Sequence, residues 1–339
     1  MPSRYILKAG NLAEMQLQSF ELDKPKPNEV SISVRAIGLN FADVFAIWGL
    51  YGATPKGSFT PGLEFAGIVE ETGSEVKNVK PGDKVMGVSR FGAYTTHINI
   101  DARYAIPLPE AWDFETGAAY LVQTLTAHYG MVHLGQLAKE QSVLIHSAVG
   151  GVGLQALKIA KAYNCYCIGT VGRPEKVETA LEAGYDKVIV RNKSTFEQDL
   201  NTALDDRELH LVMDSVGGPF FSIPFEKLAP MGRMVVYGSA RYATVGDKPN
   251  KWHLLAHWLR RPKIDPQKLI ESNKAIMGFN LIWLYKNVDM MDTILQLLEA
   301  LNISAPHVGH QFPFEKLPDA VRLFQTGKTV GKVVINVSM

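Results

Sequence analysis

The chain contains little cysteine, no long apolar run and almost no excess of charge of either sign. Its two cysteines, Cys165 and Cys167, lie too close along an extended strand for a comfortable disulfide bond. So small a number also excludes a four-cysteine zinc cluster. No apolar run approaches the length that spans a bilayer, and residues 1–15 lack the apolar core of a signal peptide. We therefore expect a cytoplasmic protein without a transmembrane segment.

Charge and length limit the possible classes of protein further. The formal net charge is +1, so the composition gives no support for binding to nucleic acid. An apolar fraction of 46% is ample for a globular core. A chain of 339 residues is longer than most single cores, which predicts two domains.

An apolar run, a glycine cluster and a helical pattern follow one another at residues 142–164, SVLIHSAVGGVGLQALKIAKAYN. Dinucleotide folds bind pyrophosphate in this order of strand, tight turn and helix. Gly150 lets the backbone approach a phosphate, Gly153 lets the helix pack closely on its strand, and the helix N-terminus offers free N–H groups. Ala148 replaces the first glycine of G-x-G-x-x-G, so an ordinary glycine-rich turn is the alternative. The predicted cofactor loop comprises Ala148, Gly150, Gly151, Val152 and Gly153.

The pattern of strands and helices changes along the chain. Residues 4–100 contain short strands broken by glycine, proline and charged turns, which is typical of a compact β domain. From residue 142 onward, apolar strands alternate with helices, which indicates a parallel sheet covered on both faces. AIMGFNLIW (275–283) is predicted as the last strand of this sheet. Two helical patterns and the strand GKVVINV (331–337) end the chain, and we expect this end to rejoin the first domain.

Residues 251–261, KWHLLAHWLRR, are unusual for a simple connection because they are rich in tryptophan and histidine. Leu254, Leu255, Trp258 and Leu259 form a stripe at helical spacing. This favours a helix pair packed on the core. A lid over a substrate pocket and a surface for a partner are the functional alternatives.

Six motifs distributed over most of the chain are together highly specific. They are GLNFADVFAIWGLY (38–51), TPGLEFAGIVEETGSEV (60–76), KPGDKVMG (80–87), LTAHYGM (125–131), AVGGVG (148–153) and DSVGG (214–218). With them the chain resembles the medium-chain dehydrogenase/reductase superfamily, in its zinc-free quinone oxidoreductase (ζ-crystallin-like) branch. GFNLIWL (278–284) and PFEKLPDAVRLFQTGKTVGKVV (313–334) are similar to the vesicle amine transport protein family and its bacterial relatives.

This resemblance implies an α/β protein with two domains. A GroES-like, β-rich catalytic domain is expected to comprise residues 1–121 and 286–339. A Rossmann domain with a doubly wound parallel sheet is expected over residues 122–285. A homodimer is also expected, by the resemblance and because RMVVYGS (233–239) and AIMGFNL (275–281) can form a sheet edge, which has to be paired or protected.

The sequence departs from the zinc-dependent members of the superfamily, which carry a cysteine ligand and a G-H-E histidine ligand. Asn40 stands where the cysteine is expected, and Leu63 interrupts Gly62-Leu63-Glu64. Catalytic zinc needs three protein ligands and an open position, so we expect no metal. Without a Lewis acid, reduction of an electron-poor acceptor, such as a quinone or enone, is favoured over oxidation of an alcohol.

The expected cofactor is NADPH. An NAD site places a carboxylate about 20 residues past the glycines, whereas the predicted strand end at Thr170 carries none. Gly172 leaves room for a phosphate, and Arg173 and Lys176 can bind it with charge-assisted hydrogen bonds. In related quinone reductases a residue after the third strand also faces this phosphate, and Arg191 stands at about that place. The alternative for each cation is a solvated surface side chain.

The resemblance also places residues at the nicotinamide. Thr126 is expected beside the ring, and Phe279 and Asn280 are expected to offer backbone groups to the carboxamide. Hydride transfer is the chemistry of the cofactor, so the protein has to position the nicotinamide against the substrate.

Three further residues are implied at the place that zinc occupies in related enzymes: Asn40, Asp43 and Tyr51. Asn40 is expected to polarise the acceptor oxygen, and Tyr51 or a water molecule to donate the proton that follows the hydride. Each residue also has a structural alternative. Asp43 can cap the following helix, Tyr51 can pack a loop, and Asn40 can satisfy local backbone groups.

These observations predict an NADPH-dependent oxidoreductase that reduces quinones or α,β-unsaturated carbonyls by hydride transfer, without zinc. Its partner is then a small electrophilic acceptor, whose identity the sequence does not give. The alternative is a nucleotide-binding regulatory or membrane-associated protein with incidental or no catalysis, because a fold does not establish a function.

Overall fold

The computed structural model of the chain describes residues 1–338. The N-terminal part consists mainly of short strands, in which β-branched residues favour the pleated conformation. The elements in this part are β1 (Ser3–Lys8), β2 (Gln16–Ser19), β3 (Glu29–Gly38), α1 (Phe41–Ile47), β4 (Ser58–Phe59), β5 (Glu64–Thr72), β6 (Lys84–Val88), β7 (His97–Asp101), β8 (Ala105–Pro107), α2 (Phe114–Ala118) and α3 (Leu121–His128). A turn of π-helix, Tyr129–Leu134, continues α3.

The second part alternates strands with helices. Its elements are β9 (Ser142–His146), α4 (Gly151–Ala162), β10 (Tyr166–Val171), α5 (Val177–Ala183), β11 (Lys187–Val190), α6 (Phe196–Leu204), β12 (Leu209–Asp214), α7 (Pro219–Lys227), β13 (Leu228–Val236), α8 (Lys251–Leu259), α9 (Pro266–Ser272) and β14 (Ala275–Gly278). The chain continues with α10 (Val288–Ala300), β15 (Val308–Pro313), α11 (Leu317–Gln325) and β16 (Lys332–Asn336).

Over residues 1–338, the strands form two large sheets and one small sheet. The order β11-β10-β9-β12-β13-β14 describes a 6-stranded parallel sheet. Helices cover both faces of this sheet, since Val143 and Ile145 of β9 pack into one core and Leu144 into the other. The strands β9 and β12 lie side by side, and the chain crosses from β9 to β10 on one side and from β12 to β13 on the other. Sheets of this kind bind ligands in the crevice that forms between the carboxyl ends of two such strands.

The other large sheet has 7 strands in the order β15-β16-β3-β5-β6-β8, with β7 paired to β3. The C-terminal strand β16 lies antiparallel to β3, so the end of the chain joins the β-rich part, as expected. The α/β fold class with a β-rich sheet and a doubly wound parallel sheet is confirmed. The domain boundaries at residues 121/122 and 285/286 stay a prediction.

The predicted strand at residues 275–283 is shorter in the structure. β14 ends at Gly278, and residues Leu281–Leu284 form a 3-10 helix. The reason lies in the neighbouring strand: the parallel ladder between β13 and β14 ends at the pair Val236 and Gly278. Beyond that point the described part of the chain, residues 1–338, offers β14 no further partner in this sheet.

The prediction that residues 251–261 pack on the core is wrong. They form α8 and the turn after it, and Trp252, Trp258 and Leu259 are 82%, 52% and 62% exposed. One side of α8 faces a large cavity instead, through Leu254, Leu255 and Trp258. The helical spacing correctly indicated an apolar stripe, but spacing alone does not show whether protein covers that stripe.

Candidate functional site

A cavity of about 1380 Å³ lies at the carboxyl ends of the parallel strands and extends to the β-rich sheet. It brings together most of the residues that the sequence analysis singled out. Those lining it are Asn40, Tyr51, Thr126, Gly150, Gly151, Val152, Gly153, Gly172, Arg173, Lys176, Arg191, Phe279 and Asn280. Asp43, Ala148 and Thr170 are fully buried and do not border the cavity.

The glycine-rich loop between β9 and α4 forms one wall of the cavity. Gly150 is the N-cap of α4, so the first N–H groups of the helix are available to an anion. At Gly153, a Cβ atom would lie 2.4 Å from the carbonyl oxygen of Ser147 and 2.6 Å from that of Ala148. A side chain at this position would therefore push the helix off its strand. The close approach of the helix to its strand therefore requires glycine at position 153, and the binding of a phosphate by the loop stays a prediction.

Three cations, Arg173, Lys176 and Arg191, gather at one end of the cavity. Arg191 follows β11, and its Nη2 lies 2.9 Å from the place that a Cβ on Gly172 would take. The Lys176 Nζ donates to the carbonyl oxygens of Gly327 at 2.9 Å and Thr329 at 2.5 Å. Arg173 is the most exposed of the three, with its Nη1 3.8 Å from Glu175.

Burial perturbs two of these cations. Desolvation, together with the charges of Arg173 and Arg191, lowers the pKa of Lys176 to about 8. Desolvation also lowers the pKa of Arg191 to about 10. Positive charges close together and partly removed from water are stabilised by a dianion bound between them. This end of the cavity is therefore suited to a phosphate group.

A buried polar cluster elsewhere along the cavity joins Asn40, Glu64 and Lys332. The Lys332 Nζ donates to the Asn40 Oδ1 at 2.8 Å and forms an ion pair with the Glu64 Oε1. Glu64 also accepts from the Asn40 Nδ2 at 3.0 Å and from the Val122 backbone N–H at 3.0 Å. The side chains of Lys332 and Glu64 are 4% and 1% exposed. The cluster fixes the orientation of the Asn40 carboxamide at the edge of the cavity.

This geometry bears on the expected role of Asn40. Its Nδ2 donates to the carbonyl oxygen of Gly38 at 3.3 Å as well as to Glu64. A carboxamide has two N–H groups, so both are already engaged within the protein. The nitrogen and the oxygen of the Asn40 carboxamide are therefore already hydrogen-bonded to Gly38, Glu64 and Lys332.

The residues at this place do not fit zinc. Leu63 offers no ligand atom, and the Lys332 ammonium, bonded to Asn40 and Glu64, would repel a cation. In the described chain, residues 1–338, no group of three or more His, Cys, Asp or Glu side chains is arranged to hold a metal ion.

Asp43 stabilises the start of α1. Its Oδ2 accepts from the backbone N–H of Asn40 at 2.8 Å and from the Tyr94 hydroxyl at 3.1 Å. Burial raises the pKa of Asp43 to about 7, against the lowering effect of these two hydrogen bonds. The hydrogen bond from the Asn40 N–H is the contact expected if Asp43 caps the helix α1.

Tyr51 and Asn280 meet across the cavity. The Tyr51 hydroxyl donates to the Asn280 Oδ1 at 2.5 Å, a contact between residues 229 positions apart. Burial raises the pKa of Tyr51 to about 12, so its hydroxyl keeps its proton at neutral pH. Phe279 packs at 5.0 Å, edge to face, on Tyr129, and Thr126 donates its hydroxyl proton to the Val122 carbonyl oxygen at 2.6 Å.

Between Tyr51 and α8 the cavity wall is mainly apolar. The side chains there belong to Phe41, Phe45, Leu50, Leu254, Leu255, Trp258 and Phe324. An apolar wall with few polar groups is typical of small-molecule sites. The sequence analysis did not place the first three or Phe324 in a site, although Phe41, Phe45 and Leu50 lie within the motif at 38–51.

Sequence reasoning also missed Lys332 and His146 as members of polar networks. Lys332 lies within GKVV of the C-terminal motif, where a lysine at the start of an otherwise apolar strand was the available signal. His146 ends the apolar run VLIH, and a polar residue at the carboxyl end of a buried strand points to the ligand side of the sheet.

Comparisons with known proteins identify the class. Residues 26–110 match the family model of the alcohol dehydrogenase GroES-like domain, and residues 151–300 match that of the zinc-binding dehydrogenases. The synaptic vesicle membrane protein VAT-1 homolog of Homo sapiens is 33% identical over 331 residues, which cover 96% of this chain and 84% of that protein. The chain belongs to the medium-chain dehydrogenase/reductase superfamily, a family of oxidoreductases.

Within the superfamily, quinone oxidoreductases are also similar to this chain. Quinone oxidoreductase 1 of Escherichia coli is 36% identical over 242 residues, 70% of this chain and 73% of that enzyme. The crystal structure of Escherichia coli quinone oxidoreductase complexed with NADPH matches with a TM-score of 0.83 and 28% identity, covering 99% of this chain and 100% of that one. None of the helices within residues 1–338 combines the length and the apolar character that a membrane-spanning segment requires.

Proposed function

We propose that the protein is an NADPH-dependent reductase of quinones or α,β-unsaturated carbonyls that works without zinc. One observation carries this proposal: a single cavity joins three cations at a glycine-rich helix N-terminus to an apolar wall beside Tyr51. The first half of that cavity suits a phosphorylated dinucleotide, and the second suits a small electrophilic acceptor. The NADPH complex of the related Escherichia coli enzyme supports the choice of cofactor.

The residues of the cavity fit NADPH from end to end. Arg173, Lys176 and Arg191 would hold the 2′-phosphate, and the N-terminus of α4 would hold the pyrophosphate. Thr126 and the backbone of residues 279–280 would hold the nicotinamide, whose chemistry when bound is the transfer of a hydride.

We propose that Tyr51 donates the proton that the acceptor takes up after the hydride. Tyr51 lines the cavity, and its hydroxyl remains protonated at neutral pH because burial raises its pKa to about 12. Its single proton is donated to the Asn280 Oδ1 in this structure, so the hydroxyl would turn from Asn280 to the acceptor oxygen when an acceptor binds. Asn40, whose amide hydrogens are engaged, would shape the site together with Lys332. The apolar wall would exclude water from the acceptor.

Turnover on a panel of acceptors tests the function. The purified protein is mixed with NADPH and with quinones, enones, aldehydes and alcohols, and nicotinamide absorbance is followed. We expect oxidation of NADPH with quinones or enones. Turnover of alcohols with NADP⁺ alone would contradict the assignment. Binding of NADPH without turnover of any acceptor would favour a nucleotide-binding protein without catalysis, an alternative that the exposed apolar face of α8 also favours.

Removal of metal is expected to leave turnover unchanged. The donor set around Asn40 and Leu63 does not fit zinc, and Lys332 supplies the positive charge there. The measurement is elemental analysis of the purified protein, together with activity before and after dialysis against a chelator. Stoichiometric zinc, with activity lost on chelation and restored by zinc, would overturn this prediction.

Raising the pH from about 7 to about 9.5 is expected to weaken NADPH binding roughly tenfold while leaving NADH binding nearly unchanged. The pKa of Lys176 in the free protein is lowered to about 8 by burial and by Arg173 and Arg191. A phosphate dianion beside Lys176 would raise that pKa. Binding above a pH of about 8 therefore requires the uptake of a proton, which costs affinity.

Fluorescence titration of both cofactors across this pH range measures the effect. Lys176→Arg is the matched control, because arginine keeps its charge throughout; its NADPH affinity should vary little with pH. An equal pH dependence for NADH, or one retained in Lys176→Arg, would remove Lys176 from the phosphate site.

We further propose a homodimer that forms through the edge of the parallel sheet. Within residues 1–338, β14 pairs only with β13, so its other edge is free. Exposed edges are prone to pair with another chain, and a two-fold related copy would continue the sheet. Light scattering at micromolar concentration is expected to give twice the mass of the chain. The mass of one chain under those conditions would rule the dimer out.

A further inference from the structure

Three neighbouring strands of the parallel sheet carry polar residues at their carboxyl ends, and the proposed function uses only one of them. His146 is the last residue of β9, Thr170 lies near the end of β10, and Arg191 directly follows β11. β10 lies between the other two strands, and Thr170 is the register partner of His146. Their side chains are therefore next to one another.

A chain of hydrogen bonds connects these side chains. The Arg191 Nη1 donates to the Thr170 Oγ1 at 3.0 Å and to the Thr170 carbonyl oxygen at 3.2 Å. The Thr170 Oγ1 lies 2.7 Å from the His146 Nδ1. The His146 Nε2 lies 2.7 Å from the carbonyl oxygen of Phe220. His146 and Thr170 are completely buried.

Only one arrangement of protons satisfies this chain while the imidazole is neutral. The Phe220 carbonyl oxygen can only accept, so the His146 Nε2 carries the ring proton and donates it. The Nδ1 then accepts from the Thr170 hydroxyl, which itself accepts from Arg191. Burial and the charge of Arg191 lower the pKa of His146 to about 3, so the imidazole is neutral at physiological pH.

The network leaves the other side of the guanidinium open toward the cavity. The Arg191 Nη2 stands over Gly172, and Arg191 lines the cavity. The Phe220 ring, whose backbone carbonyl accepts from His146, has its centroid 5.9 Å from the Arg191 Cζ. The Arg191 Nη1 is thus anchored on Thr170, while the Nη2 lies beside Gly172, where the 2′-phosphate is expected.

We propose that His146 and Thr170 are positioning residues that hold Arg191 ready for the 2′-phosphate and thereby determine the preference for 2′-phosphorylated nucleotides. The inference rests on the proposed use of NADPH. A free arginine side chain would have to be ordered on binding, which costs roughly tenfold in affinity. Loss of the network should therefore weaken recognition of the 2′-phosphate by about that factor and leave the rest of the nucleotide site unaffected.

Two truncated nucleotides isolate the effect. 2′,5′-ADP and 5′-AMP differ only in the 2′-phosphate, and the ratio of their dissociation constants, measured by calorimetry, reports its recognition without any turnover. Thr170→Val removes the hydroxyl at nearly constant volume, and His146→Leu removes both ring nitrogens. Each is expected to reduce the advantage of 2′,5′-ADP about tenfold and to leave 5′-AMP unchanged.

Conservative variants supply the matched controls. Thr170→Ser keeps the hydroxyl. His146→Asn places a carbonyl oxygen near the position of Nδ1, where it can accept from Thr170. Both are expected to retain the wild-type ratio. In addition, ¹⁵N NMR of histidine-labelled protein should show one imidazole that remains neutral and protonated on Nε2 at mildly acidic pH, and whose shifts change in Arg191→Ala.

The outcomes separate this inference from the proposed function. A wild-type protein without preference for 2′,5′-ADP would refute the use of NADPH. A wild-type preference lost in Arg191→Ala but kept in Thr170→Val and His146→Leu would refute only the positioning role. Equal weakening of both nucleotides in these variants, or loss of the preference in Thr170→Ser, would also refute it, because the network would then support the fold alone.

Discussion

Lys332→Met is expected to lower the free energy of unfolding by about 3–5 kcal/mol. Lys332 and Glu64 are almost completely buried, and the lysine ammonium bonds both the Glu64 carboxylate and the Asn40 carboxamide. A methionine fills similar space but leaves the carboxylate without a counter-charge. Breaking a buried pair by removing one partner is far more costly than replacing both, because an uncompensated charge remains.

The double variant Lys332→Met/Glu64→Gln is the matched control. A glutamine can still accept from the Val122 N–H, which now donates to Glu64 at 3.0 Å, and it carries no charge. We expect it to recover more than half of the stability lost in Lys332→Met. Urea unfolding followed by circular dichroism gives the three free energies. A loss in Lys332→Met below about 1 kcal/mol, the range of exposed pairs, would show that the pair does not stabilise the fold.

The parallel sheet could be predicted well from the sequence. Its strands are buried on both faces, so they appear as continuous apolar runs such as VLIH and YCIGTV, and the turns between them carry glycine or charge. The strand β15 (Val308–Pro313) was not predicted. It alternates exposed and half-buried residues, and within residues 1–338 it pairs only with β16, at the edge of its sheet. An edge strand with so little burial has a weak sequence signal.

The candidate site could be predicted only where one short segment contains its residues. The loop Gly150–Gly153 lies within the motif AVGGVG (148–153), and Asn40 lies within a different motif, at residues 38–51. The ion pair of Lys332 with Glu64 joins residues 268 positions apart, and the contact of Thr170 with His146 depends on the register between two strands. Sequence patterns give the faces of strands but not the alignment of one strand with another.

Arg191→Ala is expected to weaken NADPH binding about 30-fold, which corresponds to roughly 2 kcal/mol, while NADH binding stays nearly unchanged. The 2′-phosphate carries close to two negative charges, and NADH has only a hydroxyl at that position. Among the three cations, Arg191 should have the largest effect. Its side chain is half-buried and its Nη1 is anchored on Thr170, so the guanidinium needs little further ordering when a phosphate binds.

The variants Lys176→Ala and Arg173→Ala measure how much each of the other two cations contributes to NADPH binding. Lys176 is half-buried and holds two carbonyl oxygens, so its removal should cost about tenfold in NADPH affinity. Arg173 is 41% exposed at its side chain, and screening should limit its effect to about threefold. The affinities of all variants for both cofactors are measured by titration at low and high salt. High salt should reduce the difference in affinity between NADPH and NADH most in the proteins that retain Arg173. Equal wild-type affinities would refute the assignment of NADPH, whereas equal losses for the two cofactors would place these cations on the pyrophosphate or in the fold.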